Sequence, residues 1–165
     1  MKKLRIISLF IILYFQGNGQ SLQFEWAQPI SGNGAEVVLD VQCDGSGNVY
    51  TLGTYSHTFD ADPGPGIALL TENGTNNNAE VFIIKYNNNG NFIWAKSVGG
   101  ESPDFAFSLT IDSDNNLYAL GYYIDTADFD PGIGNFTLIT DTVSLFLLKI
   151  DSAGNFIWAK DWNTH

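Results

Sequence analysis

Apolar and polar positions along this chain alternate with a period of two. In Val37–Cys43 (VVLDVQC) and in Ala106–Ile111 (AFSLTI) apolar residues take turns with polar or small ones. Such alternation predicts half-buried β-strands. Val49–Tyr55 (VYTLGTY) and Leu117–Tyr123 (LYALGYY) are rich in β-branched and aromatic residues, which favour strands. Val81–Tyr86 (VFIIKY) and Leu145–Ile150 (LFLLKI) are continuous apolar runs, suited to strands covered on both faces. Between the strands lie DGSGN, NNNGN, DSDNN and DSAGN. Asn, Asp and Gly accept the left-handed backbone that tight hairpins need. No helical periodicity appears outside the first 20 residues.

The pattern occurs twice. GNFIWAK stands at Gly90–Lys96 and again at Gly154–Lys160, and a weaker echo, QFEWAQ, stands at Gln23–Gln28. Gly53 matches Gly121, 68 residues on, whereas Lys85 matches Lys149, 64 residues on. The four-residue difference falls in the polar stretch Thr71–Asn78 (TENGTNNN), which marks that stretch as a loop. Each unit holds four strands joined by hairpins, an antiparallel meander. Repeated around an axis, such a sheet is a β-propeller blade. The fold class is therefore all-β: two propeller blades, at 34–97 and 98–165, with an extra N-terminal outer strand at 21–33 that would latch a ring. A Trp at a fixed place in each closing strand is expected to fill the wedge between neighbouring blades. The other reading, an exposed sugar-stacking platform, ties the Trp to no repeat geometry.

These residues resemble the bacterial β-propeller repeat family abbreviated SBBP. The hairpin pattern D-x-x-G-N-x-Y-x-x-G is met at Asp44–Gly53 and Asp112–Gly121, with Asn at the Gly position in the second. The DFDPG-like loop is met at Asp60–Gly64 and Asp128–Gly132, and the last two strands run from Val81 to Trp94 and from Leu145 to Trp158. The resemblance implies a propeller in a secreted or surface protein, and no single activity. Closed propellers have at least four blades. Two blades cannot close a ring, which leaves three arrangements: a fragment of a longer propeller, several copies sharing a ring, or two blades standing alone as an open pair.

The leader changes the picture of location. Lys2, Lys3 and Arg5 precede the apolar run Ile6–Phe15 and the small residues Gly17 and Gly19. That layout predicts a signal peptide over residues 1–20, because the run is about half the roughly 20 residues of a spanning helix. Export to the exterior or the cell surface follows, with no membrane span left after cleavage. Of seven basic residues three lie in this leader, and none of the 18 acidic ones does. The remaining four against 18 give a net charge of −14, with no Arg. Such a surface repels nucleic acid, which is bound through clustered Lys and Arg. Cys43 stands alone, so no intrachain disulfide forms; its alternating context predicts a small buried hydrophobe.

The candidate chemistry sits in the acidic loops. Asp60 and Asp62, then Asp128 and Asp130, place two carboxylates two residues apart before Pro-Gly, and Asp125 lies close by. Calcium takes six to eight oxygen ligands of this kind. Turn chemistry explains the same residues without a metal: Asp caps, Pro fixes φ, and Gly turns. Calcium is the one cofactor these residues suggest. DSDNN (Asp112–Asn116) begins like an EF-hand loop but lacks its Gly and its distal Glu. No catalytic residues are assigned. His57 has no His counterpart in the second unit, where Asp125 stands, and no activated nucleophile is recognisable. The reading is a non-enzymatic binding or scaffold module for a protein or glycan. The alternative is part of a hydrolase or lyase acting on extracellular polysaccharide.

Overall fold

A computed structural model describes residues 24–74 and 78–162 of the chain. The predicted signal peptide lies outside the described residues. Among those described there is no helix, and every ladder is antiparallel. The first blade is β1 (Val37–Cys43), β2 (Val49–Tyr55), β5 (Glu80–Tyr86) and β6 (Phe92–Gly100), hydrogen-bonded in that order. A small hairpin, β3 (Thr58–Asp60) with β4 (Leu69–Thr71), stands between its second and third strands. The second blade is β7 (Phe105–Ile111), β8 (Leu117–Asp128), β9 (Thr137–Ile150) and β10 (Phe156–Asp161). Here the hairpin is fused into the long strands: Thr126↔Ile139 to Asp128↔Thr137 repeat Thr58↔Thr71 to Asp60↔Leu69. The four extra residues follow β4, as the length difference predicts. The two blades stack and do not close into a ring.

One device builds the hairpin that joins the first two strands, and the last two strands, of each blade. Asp44, Asn87, Asp112 and Asp151 each accept, through Oδ1, the N–H groups two and four residues on, at 2.8 to 3.0 Å. The fourth turn position is left-handed in every case: Gly47, Gly90, Asn115 and Gly154. These are three-residue hairpin loops ending in a glycine-type bulge. DSDNN is thus a turn and shares nothing with calcium loops beyond its first letters.

The main core lies between the blades. Leu52, Val81 and Ile83 of the first meet Leu109, Ala119, Phe146 and Leu148 of the second. A second core covers the rear of the first blade, where Tyr55, Phe59, Phe82, Ile84 and Tyr86 pack with Ile30 and Leu70. The apolar run in β5 is covered on both faces, as expected. The matching run in β9 is not: its residues alternate between buried and open.

Two expectations change. Residues 24–31 form no strand, and Gly32 makes a single bridge, to Phe59. Among the described residues no further strand lies beside this segment, and it rests on the first blade instead of extending a sheet. Cys43 is exposed, not buried. Its face of β1 has no neighbouring blade, and local alternation cannot reveal whether a neighbour is present.

Candidate functional site: the joint between the blades and its acidic loops

Residues 24–36 and the closing strand β6 each meet the blade that follows them in the same way. Trp94 Nε1 donates to the Ser152 carbonyl at 3.3 Å, and Trp26 Nε1 donates to the Asn88 carbonyl at 3.3 Å. Ser152 and Asn88 are both the second residue of an Asx turn. Each indole lies over the turn glycine, Gly154 or Gly90. These two glycines have φ of 81° and 77°, so they serve the turn; Gly90 also clears room for the Trp26 ring, and Gly154 for the Lys96 side chain, with the Trp94 ring in contact beside it. Two residues on, Lys96 Nζ donates to the Pro131 carbonyl and Gln28 Nε2 to the Gly90 carbonyl. Gly100 pairs with Ala127 as Gly32 pairs with Phe59. Asp104 accepts from Gly100 N–H and Glu36 from Gly32 N–H. Residues 24–36 therefore reproduce the joint made by residues 92–104. The Trp residues are wedge fillers tied to repeat geometry.

The joint also sets lysine electrostatics. Lys85 Nζ donates to the Ser152 carbonyl at 2.8 Å and lies 4.9 Å from the Tyr50 ring centre. Burial beneath the second blade lowers its pKa, against the pull of Asp44 and Asp151. Its counterpart Lys149 is paired with Asp112 at 3.3 Å, and its pKa is raised by its bond to Tyr118 and then by Asp112. The same lysine is an inter-blade contact in one blade and an intra-blade ion pair in the other.

Both acidic loops are Asx turns. Asp60 Oδ1 accepts from Asp62 N–H at 3.1 Å and Ala68 N–H at 2.8 Å; Asp128 Oδ1 accepts from Asp130 N–H at 3.0 Å and Phe136 N–H at 2.8 Å. Asp62 and Asp130 accept from Gly64 and Gly132, each at 2.8 Å. Asp125 takes a positive φ of 65°, as does its counterpart His57, and accepts from Thr126 Oγ1. Among the described residues no three His, Cys, Asp or Glu come together as a metal-holding group. Turn hydrogen bonding accounts for the placing of both loops: Asp60, Asp62, Asp128 and Asp130 each give an oxygen to a turn N–H. Adding a chelator is accordingly expected to leave the melting temperature unchanged, in a thermal scan with and without calcium.

Two clefts flank the second loop. One, of about 430 Å³, is lined by Glu101, Ser102, Asp125, Asp128, Asn135 and Thr137, among others. The other, of about 310 Å³, is bounded by Lys96, Asp130, Pro131 and Gly132. A smaller cleft of about 190 Å³ at the first joint uses the matching Gln28, Asp62, Pro63 and Gly64.

Beneath Gly99 lie two buried carboxyls that sequence reasoning missed. Glu80 accepts from Tyr55 Oη at 3.1 Å and from Asn73 N–H. Asp104 accepts from Gly100 N–H at 2.8 Å and Ile124 N–H at 3.3 Å. Burial raises both pKa values, that of Asp104 to about 7, with the Glu80 charge adding to it. A carboxyl raised above its unfolded value of about 4 favours the fold when protonated, so its contribution is lost as pH climbs from about 4 to about 7. Asp40, Asp44, Asp112 and Asp151 are shifted the other way. The Leu109 N–H leads for Asp40 and the Asn116 amide for Asp112; in Asp44 and Asp151 the turn hydrogen bonds outweigh burial. Their contribution is lost below about pH 4. The melting temperature should peak between these limbs and fall from pH 5 to pH 8. Asp104→Asn should flatten the upper limb; an unchanged slope would contradict the assignment.

No family model matches this chain. It is 29% identical over 177 aligned residues to the uncharacterized WD repeat-containing protein L264 of Acanthamoeba polyphaga mimivirus, covering 90% of this chain. The match takes in 12% of that protein, so the chain spans about an eighth of its length. The likeness is to a repeat protein, and it agrees with two stacked four-stranded blades joined by repeated contacts.

Proposed function

We propose that the chain is a propeller-repeat module, exported to the exterior or the cell surface, that binds a protein or glycan and performs no chemistry itself. The observation that carries this reading is the repetition of the joint. Residues 24–36 and β6 are fixed to the following blade by the same Trp, turn and Gly contacts, and each joint leaves a cleft beside the matching Asp-Pro-Gly loop. The WD-repeat likeness supports an interaction role. The basic, apolar leader supports export. The cleft of about 430 Å³ beside the acidic loop offers carboxylates, an amide and hydroxyls from Glu101, Asp125, Asn135 and Thr137, a set matched to a hydroxyl-rich ligand. The acidity of the chain disfavours nucleic acid.

The test is binding of the purified chain to an array of extracellular polysaccharides and oligosaccharides. Retention that weakens by about tenfold in Asp125→Ala or Thr137→Ala is the expected result. Turnover of any polysaccharide would overturn the non-enzymatic part, and retention unaffected by either variant would move the site elsewhere.

A further inference from the structure

The joint between the blades has two halves; one occurs again without a neighbouring blade, and the other occurs again covered only in part, by residues 24–36. On the outward face of the first blade, Tyr50, Leu52, Val81 and Ile83 are covered by the second blade, and Val81 is fully buried. The matching residues of the second blade are Tyr118, Leu120, Leu145 and Leu147. No blade among the described residues covers them: Leu145 is 46% exposed, and Tyr118, Leu120 and Leu147 are half-buried by side chains of their own blade such as Trp158 and Lys149. Trp158 repeats Trp94, yet its indole N–H has no acceptor among the described residues, whereas Trp94 and Trp26 both have one. The other half is the rear of a blade. Ala106 and Leu109 of the second blade are buried against the first, Leu109 at 2% exposure. Their counterparts Val38 and Val41 on the first blade are open, Val41 at 55%.

We propose that the outward face of the second blade docks the rear of the first blade of a second copy of this chain. The bare outward face of the second blade and the part-covered rear of the first are complementary halves of a joint that the chain already makes internally. The occupant must present an Asx turn with a free second carbonyl and a glycine under the indole. The Asp151–Asn155 turn is already held by Trp94 and Lys85. Among the described residues the Asn87–Asn91 turn is hydrogen-bonded by the side chains of Trp26 and Gln28, in a segment without a ladder that makes one bridge. Docking therefore exchanges Trp26 of one copy for Trp158 of another. Lys149 then leaves Asp112 for the Asn88 carbonyl, as Lys85 has left Asp44 for Ser152. The inference rests on the joint and is independent of any glycan or protein ligand.

Sedimentation velocity of the full chain over a concentration series tests this. The expected result is reversible growth in mass with concentration. Leu145→Asp, at an exposed position, should hold the chain as a monomer with unchanged circular dichroism. Trp26→Ala should strengthen association by about tenfold, since it removes the competitor for the turn. In a Cys43→Ser background, a mixture of Lys149→Cys and Asn88→Cys chains should form a mixed disulfide between copies. A chain that stays monomeric throughout, or association indifferent to Leu145→Asp together with no mixed disulfide, overturns the proposal.

Discussion

Gly121→Val is expected to abolish the cooperative unfolding transition. Gly121 lies in β8 opposite Phe146 of β9. A Cβ there would run into the Phe105 carbonyl of β7 and stand 2.6 Å from the Phe146 ring. Backbone on one side and a buried aromatic on the other leave no direction in which the side chain can escape. Overpacking a rigid core costs about 1–3 kcal/mol and more when backbone must move, against a total stability of about 5–15 kcal/mol. Valine adds three carbons at a site that cannot take one. Its twin Gly53 faces the Val37 carbonyl and the Phe82 ring in the first blade, so Gly53→Val should behave alike. Phe146→Leu should rescue Gly121→Val only in part, because the Phe105 carbonyl remains. Thermal unfolding followed by circular dichroism checks this, and a folded Gly121→Val with near-parental melting temperature would refute the close approach.

The second large effect separates two copies of one heptapeptide. Trp94→Ala should cost about 3 kcal/mol, the usual cost of removing a large aromatic from a packed site. Trp94 fills the wedge, packs on Tyr50, covers Gly154 and bonds to Ser152. Trp158→Ala should cost about 1 kcal/mol or less in the monomer. Among the described residues Trp158 packs within its own blade, on Tyr118 and Lys160. Identical sequence context with unequal cost is the signature of a contact made between units. Chemical denaturation of both variants measures it; equal losses would mean that the Trp acts inside its own blade.

Most of this architecture is legible in the sequence because repetition reports geometry. The Asx turns, the loop after β4 and the wedge role of Trp94 all follow from residues that recur at 68 or 64 positions' distance. Cys43 and the β9 run were misleading for one reason. Alternation and apolar runs describe what a strand could bury, and they do not say whether a neighbour is there. The N-terminal segment is read correctly as a repeat of β6, but its contacts are with the next blade rather than with a sheet of its own. Asp104 was hidden among 18 acids, although a signal was present. It stands four residues after Gly100, as Glu36 stands four after Gly32, and both carboxylates cap that glycine. Glu80 has Ser144 as its counterpart and gave no repeated sign.

The central claim is that each closing strand is locked to the following blade by a Trp laid over a turn glycine. Nuclear Overhauser contacts test it without any substitution. Cross-peaks between the Trp94 indole and the Gly154 α-protons, and between the Trp26 indole and those of Gly90, are predicted, with none from Trp158 to either glycine of its own chain. Absence of the Trp94–Gly154 cross-peak in a folded sample would contradict the joint.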